Sequence, residues 1–597
     1  MLDPRIYRTG LTVAVLAILV LAFSLQDQQS ALTSPLAPDA FNGQNVAATM
    51  ARLAQDYPQR PPGSSADDDL ATQVAGSLSG AGKGGFAVST DTFTGQTADG
   101  ARTLENVVAV RPGSVQAGNL VIIAHRDARG SPATAALSGT ATLIELARDL
   151  AGETLHRTVV LASTTGAQGT AGALRLAARI AGPIDAVIVL GDLASAHLQQ
   201  PIVVPWSTSP NVASPELRNT LGAELRAQAA IGPTGTSLFG QYLHLAFPLT
   251  LSEQAPFGDL GVPAVLVSLT GERGAPPAGA LAGVDQLTAV GRGVLATISA
   301  LDSGAAVPGA SPYLLLDSKV VPGWALSLFV LALIVPVALT TIDGLARARR
   351  RGHPLWRWIV LVLAAAAPFA LAGGVVLLAR LTGALAVAPA APVGPGSVPT
   401  PSAGWAVLVV ASLLAVGATV ALRPVAIRFA LPRARSRGPG RDTATEGAVA
   451  GLLAVACVVT VLLWLANPFA ALLAVPGLHL WLPALSPDLR LRLPIRLGLL
   501  TVGLLPLALV PVYYATTLGY SPLGIVWMVT LLIAGHGIGV VAVLEWSLFG
   551  GCVLTAFGVL VALARQPRPE QQPVTVRGPV GYAGPGSLGG TESALRR

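Results

Sequence analysis

The stretch "NLVIIAHRDARGSPATAALSGTATLIELARDL", residues 119–150, contains the features that decide the fold. It opens with a continuous apolar run that ends in His-x-Asp, continues through a loop of small residues, and closes with apolar residues at helical spacing. Continuous apolar strands are typical of parallel sheets that helices cover on both faces. The stretch therefore predicts a buried strand, a loop and a helix that begins at Ser-Gly.

The same pattern repeats along residues 41–301. Short β-rich runs, "TVVLAS", "DAVIVLG" and "PAVLVSL", alternate with helical stretches such as "AGALRLAARIAG". Alternation of this kind predicts one α/β domain with a mostly parallel sheet sandwiched by helices.

The chain as a whole is too apolar for an ordinary soluble protein, because 52% of its 597 residues are hydrophobic and 12% are charged. Residues 1–28 contain a basic start and an apolar stretch that predict an N-terminal transmembrane anchor (a signal anchor); a cleaved signal peptide is the alternative. Residues 321–566 predict an all-α polytopic membrane domain with about seven helices. These helices are expected at about 323–342, 355–379, 404–422, 446–466, 495–515, 523–544 and 547–564.

Residues 467–485 are apolar but interrupted by proline, so they are interpreted as a re-entrant or interfacial piece, or as a short extra span. The chain then has eight or nine membrane helices. A Pro/Gly-rich stretch at 388–404 is expected to be an external loop. Residues 567–597 predict a disordered cytoplasmic tail.

The formal net charge of +7 does not indicate nucleic-acid binding, because eleven arginines lie in residues 347–357 and 423–441, next to apolar runs. Cytoplasmic loops of membrane proteins carry such an excess. We therefore expect a multi-pass protein of the cell membrane, with the lipid bilayer as a partner and residues 41–301 outside the cytoplasm. The eight-helix alternative leaves Arg490, Arg492 and Arg496 on the outer side, against this rule. Arg-rich, Ala/Gly-rich usage suggests a bacterial source.

His125 and Asp127 have the residue types of a metal site. A neutral imidazole at a strand end can bind zinc, and a carboxylate two residues later points to the same side and can orient the ligand. Taken alone the pair is weak support for a site, since a single histidine is commonly a structural hydrogen-bonding group.

Six segments in order resemble the M28 family of co-catalytic zinc peptidases: "RPPGS", "ENVVAVRPG", "IIAHRD", "LSGTATLIELARDL", "RTVVLASTTGAQGTAGA" and "SEQAPFGDLGVPAVLV". The resemblance implies a zinc-peptidase-like α/β fold over most of residues 41–301. The combination with a multi-spanning part is also similar to membrane-bound members of this family and, distantly, to the attachment subunit of the GPI transamidase.

The resemblance also implies a ligand set that this sequence lacks in part. His125 matches the first zinc ligand and Asp192 a later Asp ligand, while Asp127 matches the orienting catalytic Asp. The bridging Asp is replaced by Ala135, and the Glu-Glu pair that supplies the base and a ligand is replaced by Gly166 and Ala167. The last histidine has no counterpart in "TGERGAPPAG". His125, Asp127 and Asp192 are therefore interpreted as vestigial, with no cofactor expected.

Other polar residues are weaker candidates. Residues that can border the same sheet edge, without a recognisable ligand spacing, are His197, Glu253, Gln254, Asp259 and Glu272. Ser138 is interpreted as a helix-capping residue rather than a nucleophile. In the apolar part, His536 is interpreted as hydrogen-bonding a neighbouring helix and Glu545 as lying at a helix boundary.

Three functions follow from these patterns. The favoured hypothesis is a pseudoenzyme: a non-catalytic ectodomain that binds a peptide ligand or membrane-protein partner, or scaffolds a membrane complex. The alternative is an active membrane-bound zinc aminopeptidase outside the cytoplasm, which requires zinc. A transport or transfer component is weakly supported, because the apolar helices show no paired acids or cations.

Overall fold

The structure is a computed structural model. It describes residues 4–34, 38–81, 85–115, 117–130, 132–232, 236–277, 279–352, 355–385, 389–398, 400–430, 441–486, 489 and 491–564. The predicted cytoplasmic tail, 567–597, lies outside these residues.

The described residues form ten strands and seventeen α-helices. The strands are β1 (Gln26–Asp27), β2 (Ala87–Thr97), β3 (Gly100–Arg111), β4 (Asn119–His125), β5 (Val159–Thr164), β6 (Ile184–Leu190), β7 (Val203–Val204), β8 (Ala264–Val267), β9 (Tyr313–Leu316) and β10 (Lys319–Pro322). The helices of the first half are α1 (Pro4–Phe23), α2 (Gly43–Asp56), α3 (Ser65–Ser79), α4 (Ser138–Ala151), α5 (Ala171–Arg179), α6 (Pro215–Ala229), α7 (Leu238–Ala246), α8 (Ala255–Asp259) and α9 (Val284–Ser303). The second half contains α10 (Gly323–Arg350), α11 (Leu355–Leu381), α12 (Ser402–Ala430), α13 (Arg441–Ala466), α14 (Pro468–Leu485), α15 (Leu493–Leu518), α16 (Pro522–Ala534) and α17 (Val540–Ala564).

Seven strands form one mixed sheet in the order β2-β3-β5-β4-β6-β8-β7. The central strands β5, β4, β6 and β8 are parallel. The connections that follow β4, β5 and β6 bring the chain back to the edge at which each strand begins, and the first two contain α4 and α5. The outer strands β2, β3 and β7 are antiparallel, and the tight turn between β2 and β3 allows no crossover. The predicted α/β class is confirmed, with parallel pairing confined to the four central strands.

The two faces of the sheet pack against different layers. On one face Leu120 and Ile122 of β4 belong to a core shared with α2, α4 and α9. On the other face Val121 and Ile123 belong to a core that includes residues of α5, α7 and the first turns of α14. The α/β domain therefore shares a hydrophobic core with the apolar helices.

A second, three-stranded sheet in the order β1-β10-β9 connects the two parts. It joins the chain that leaves α1 to the chain that enters α10. Helices α1 and α10 then run together, and Gly10 approaches Pro336 so closely that a Cβ atom at Gly10 would lie 2.6 Å from the Cα atom of Pro336. Small residues allow apolar helices to pack at such short range.

Eight of the described helices are long and apolar enough to cross a membrane: α1, α10, α11, α12, α13, α14, α15 and α17. This number agrees with the eight-helix alternative, but the members differ. Pro468–Leu485 form the continuous helix α14, which its internal prolines do not interrupt. Of its apolar window 67% is buried, among neighbours that can compensate a lost backbone hydrogen bond. The span expected at 523–544 is instead divided into the 13-residue α16 and the start of α17.

The break between α16 and α17 has a local cause. His536 lies between two glycines and adopts a left-handed backbone with φ of 64°, which ends α16. His536 is exposed and stands outside a helix, so the interpretation that it lies within a spanning helix is wrong. Glu545 lies in the second turn of α17.

Candidate functional site

His125 ends β4 at the carboxyl edge of the parallel strands, level with Thr164 at the end of β5. Its side chain is 30% exposed, and its Nδ1 atom lies 3.9 Å from Oε2 of Glu253. Burial, together with the positive charge of Arg60, lowers the pKa of His125 to about 4. The imidazole is therefore neutral at pH 7.

Glu253 is the acid that the structure brings to His125. Its side chain is 2% exposed, and neither carboxyl oxygen has a hydrogen-bond partner within the described residues. Burial raises the pKa of Glu253 to about 8; the nearby hydroxyl of Thr164 opposes this rise, and the charge of Asp127 adds to it. A neutral carboxyl group thus stands beside a neutral imidazole, a pair that can exchange hydrogen bonds or a proton with a bound molecule.

Asp127 lies in the loop after β4, and one of its carboxylate oxygens is hydrogen-bonded to the loop after β5. Oδ1 accepts a hydrogen bond from the backbone N–H of Ala167 at 3.2 Å. Burial, and then the charge of Asp67, raise the pKa of Asp127 well above its usual range. Asp127 therefore joins the loop after β4 to the loop after β5, at the position where the resemblance placed a glutamate.

A buried ion pair that the sequence analysis missed supports this edge. Nε of Arg126 lies 2.9 Å from Oδ1 of Asp67, and both side chains are inaccessible to solvent. Oδ2 of Asp67 accepts hydrogen bonds from the hydroxyl of Thr165 at 2.5 Å and from the N–H of Gly63 at 3.0 Å. The signal available in the sequence was the arginine between His125 and Asp127, since a charged residue in such an apolar setting requires a partner.

Asp192 is buried in the loop that follows β6, and that loop uses its oxygens. Oδ1 accepts from the N–H groups of Ala194 and Ser195, both at 3.0 Å. Oδ2 accepts from the hydroxyl of Ser195 and from that of Thr270, the latter at 2.9 Å. With four donors, Asp192 acts as the centre of a loop structure.

The replaced positions where the resemblance implies metal ligands carry no polar side chain. Ala135 is 3% exposed and belongs to the hydrophobic core, and Gly166 adopts a φ of 74°. Ser138 is the first residue of α4, and its hydroxyl donates to the carbonyl of Ala135 at 2.6 Å and accepts from the N–H of Leu193 at 2.8 Å. The helix has no side-chain cap, because a short 3-10 turn leads directly into it. The predicted capping role of Ser138 is therefore wrong, and the residue ties α4 to the loop after β6.

Among the five weaker candidates, Glu253 alone contacts His125 in the described structure. Gln254 donates to the carbonyl of Trp206 at 3.1 Å and to Thr250 Oγ1 at 3.0 Å. Glu272 accepts from the N–H of Leu251 at 3.0 Å and from the Thr250 hydroxyl. The two remaining candidates, His197 and Asp259, are exposed at the surface. Asp259 accepts a hydrogen bond from the hydroxyl of Thr208.

The residues present do not fit the zinc pair that the resemblance implies. No group of three or more His, Cys, Asp or Glu side chains within the described parts of the chain could hold a metal ion. Asp192 is saturated by loop donors and one oxygen of Asp127 is engaged. Only His125 and Glu253 remain as possible metal ligands, whereas a catalytic zinc keeps three protein ligands.

The loops around this site contact the helical part. The carboxamide oxygen of Gln168 accepts from the N–H of Gly394 at 2.7 Å and from the hydroxyl of Ser397 at 3.1 Å. The guanidinium of Arg129 pairs with Asp99 and donates to the carbonyl of Ser397. Residues 389–398, the described part of the Pro/Gly-rich connection between α11 and α12, thus lie against the loops after β4 and β5.

A second contact joins the two parts at the end of α15. Arg273, which follows the buried Glu272, donates to the carbonyls of Thr516 and Thr517, the latter at 2.8 Å. On the face of the sheet that packs against α14, Asn467 donates to the carbonyls of Leu245 and Ala246. The α/β domain is therefore held against the helices at several places.

Comparison with known proteins finds similar folds at low identity. No protein-family model matches the sequence, and no curated protein matches it either. The LapA aminopeptidase of Legionella pneumophila is 16% identical, with 45% of this chain and 74% of that chain covered and a TM-score of 0.34. BSAP, a zinc aminopeptidase from Bacillus subtilis, is 10% identical (45% and 98% covered, TM-score 0.36), and a Porphyromonas gingivalis glutaminyl cyclase is 17% identical (44% and 98% covered, TM-score 0.33). Similarity at this level concerns the fold and not the chemistry of the site.

Proposed function

We propose that this chain is a multi-pass membrane protein whose α/β domain is a degenerate M28-type domain. In this proposal the domain binds a polar ligand or a partner, or supports a membrane complex, and does not hydrolyse peptides. The observation that carries the proposal is the state of Asp192, because its two oxygens accept three hydrogen bonds from its own loop and one from Thr270 after β8. A carboxylate held by four donors is a structural element.

The catalytic base is also missing from the site. Gly166 and Ala167 stand where the resemblance implies the glutamate pair that supplies the base and a ligand, and Ala167 contributes only a backbone N–H to Asp127. A positioned base typically contributes about 10²–10⁴-fold in rate. The remaining pair, His125 and Glu253, is neutral at pH 7 and suits an uncharged polar group of a ligand, such as an amide or a hydroxyl.

We further propose that the domain lies outside the cytoplasm. Helix α10 begins at the small sheet that joins it to the domain, and its 28 residues extend about 42 Å. The arginines of residues 347–351 lie at its other end, remote from the domain. The positive-inside rule then assigns the opposite side to the domain. The resemblance to the GPI transamidase subunit and the partner itself stay predictions.

The test uses the full-length protein purified in detergent. We expect less than stoichiometric zinc by elemental analysis, and no hydrolysis of aminoacyl substrates above background. The variants His125→Ala and, as a control at a surface ion pair, Arg175→Ala should behave like the wild type in this assay. One or two bound zinc ions with activity that His125→Ala abolishes and Arg175→Ala retains would contradict the proposal.

Glu253 supports a second candidate function, an active hydrolase with a rearranged site. A buried carboxyl group with no partner and a raised pKa is typical of catalytic acids. If the chain hydrolyses aminoacyl substrates, Glu253→Gln should abolish the activity while the exposed-site change Glu153→Gln retains it. Activity that survives Glu253→Gln would exclude this candidate.

A further inference from the structure

Arginines gather at the end of the helical bundle that is remote from the α/β domain. Helix α10 begins beside the domain and ends with arginines, and α11 starts after a short turn with another arginine at its third residue. The members of this group, which we call the arginine collar, are Arg5, Arg8, Arg349, Arg350, Arg351, Arg357 and Arg492. They come from the ends of α1, α10, α11 and α15, so the packing of the bundle brings these charges to one end.

Two contacts place the start of α1 at the remote end. The end of α1 and the start of α10 meet in the small sheet, and Gly10 packs closely against Pro336, so residues before Gly10 lie beside the later turns of α10. The hydroxyl of Tyr7 lies 2.6 Å from Nδ1 of His479, in the second half of α14. Arg8 follows Tyr7 and is therefore held at the same end of the bundle as the arginines of α10.

The start of α15 is fixed at this end by a buried guanidinium group. Helix α14 begins at the α/β domain, where Asn467 is bonded to α7, so its last residues are remote from the domain. There Arg496 donates to the carbonyls of Ala484 at 2.9 Å and Ser486 at 3.0 Å. These bonds hold the start of α15 against the end of α14. Arg492, one turn earlier and exposed, therefore belongs to the collar.

The charge of the collar is not neutralised by acids within the residues that the structure describes. Asp343 is the one acid of α10, and it pairs with Arg347. Arg8, Arg349 and Arg492 are exposed and form no ion pair with a described residue. Their positive charges therefore face the surroundings of the bundle, where an anion can approach several of them.

The collar adjoins apolar side chains that point away from the bundle. Trp356, directly before Arg357, is exposed, and so is Ile495, three residues after Arg492. A surface that changes from apolar to cationic over so short a distance matches the layer of a bilayer where acyl chains meet phosphate groups, and tryptophan is enriched in that layer. A soluble anion would match the cations but not the exposed apolar side chains beside them.

We propose that the arginine collar binds the phosphate headgroups of anionic phospholipids around the helical bundle. Guanidinium groups form charge-assisted hydrogen bonds with phosphate oxygens. The bound headgroups reduce the repulsion between arginines of different helices, so anionic lipid stabilises the packing of α1, α10, α11 and α15. This interaction is separate from the candidate site, and it does not depend on whether the α/β domain is catalytic.

The test uses the full-length protein in detergent, titrated with short-chain phosphatidylglycerol or with phosphatidylcholine of the same chain length, and thermal unfolding reports binding. Phosphatidylglycerol should stabilise the wild type at a concentration about tenfold lower than phosphatidylcholine, and high salt should reduce this preference. The combined changes Arg8→Gln, Arg349→Gln and Arg492→Gln should reduce the preference about tenfold. The corresponding three changes to Lys should retain it, because the charge is kept.

The matched control replaces three exposed arginines of the α/β domain, in Arg52→Gln, Arg102→Gln and Arg226→Gln, and should keep the wild-type preference. Equal stabilisation of the wild type by the two lipids would overturn the proposal, and so would a preference that survives the three collar changes to Gln. Loss of the preference in the Lys variant as well would show that charge is not what binds. Equal stabilisation by inorganic phosphate at the same concentration would assign the collar to a soluble anion, against the proposal.

Discussion

At the scale of single residues, Glu253 is the group whose properties depend most on the fold. A carboxyl group buried without a hydrogen-bond partner costs free energy when it is charged, so the folded protein favours the protonated form. The contrast with Asp67 is informative, because that equally buried carboxylate is paired with Arg126 and bonded to Thr165. Asp67 is thus held as a charged, paired group, whereas Glu253 is held as a protonated one.

Glu253 should make the stability of the protein depend on pH. Its pKa is raised from 4.5 to about 8, so the folded state keeps a proton that the unfolded chain releases, and stability is lost as the pH rises through this range. One pKa unit corresponds to about 1.4 kcal/mol, so Glu253→Gln should reduce the loss between pH 5 and pH 8 by more than about 1 kcal/mol. Thermal unfolding of the full-length protein across this range measures the difference.

The matched control is Glu153→Gln, at an exposed position of the same domain. Its pH profile should follow the wild type. If Glu253→Gln also retains the wild-type slope between pH 5 and pH 8, Glu253 is ionised in the folded protein and the neutral pair with His125 does not exist.

At the scale of elements, α14 shows how a proline-containing apolar segment becomes a regular helix. Asn467 caps its first turn, with Oδ1 accepting from the N–H groups of Phe469 and Ala470 at 3.0 and 3.3 Å. Proline at the first helical position suits the helix start, where no N–H partner is needed. The amide nitrogen of Asn467 meanwhile donates to two carbonyls at the end of α7. One side chain therefore starts a helix and fixes it to the α/β domain.

Two substitutions at Asn467 should separate these roles. Asn467→Ala removes the cap, at about 0.5–2 kcal/mol, and two hydrogen bonds to α7, at about 1 kcal/mol each. Asn467→Ser retains an oxygen for the cap but has only one hydroxyl donor, so it loses at least one of the two hydrogen bonds to α7 and its loss should be smaller than that of Asn467→Ala. Thermal unfolding in detergent gives both values. Equal losses for the two variants would mean that the cap contributes nothing measurable.

At the scale of the whole molecule, the helix α14 changes the side of the helical bundle on which the arginines before and in α15 are expected. The end of α15 contacts Arg273 of the α/β domain, and 26 helical residues extend about 39 Å, so the start of α15 is remote from the domain. There Arg496 donates to the carbonyls of Ala484, Ser486 and Leu489. Arg492 and Arg496 therefore lie at the same end of the bundle as the arginines that end α10, which removes the conflict with the positive-inside rule for these two; Arg490 lies outside the described residues.

Cysteine labelling of intact cells tests this arrangement. In the background without native cysteines, Ser89→Cys on the exposed strand β2 should react with an impermeant maleimide. Arg492→Cys should stay unlabelled until the membrane is permeabilised, because α14 carries the chain across. Labelling of both positions on intact cells would show that α14 does not span, and labelling of Arg492→Cys alone would reverse the orientation.

The sequence by itself determined the α/β class, the apolar helices and the absence of polar side chains at Ala135, Gly166 and Ala167, because hydropathy, strand length and residue identity are local properties. It left α14 open between an interfacial piece and a span, and it misjudged the length of α16, which the backbone of His536 ends early. Only the tertiary structure decided that Glu253, 128 residues from His125, shares its site, and that Asp192 serves its own loop. Such pairings depend on how distant segments pack, which no pattern along the chain records.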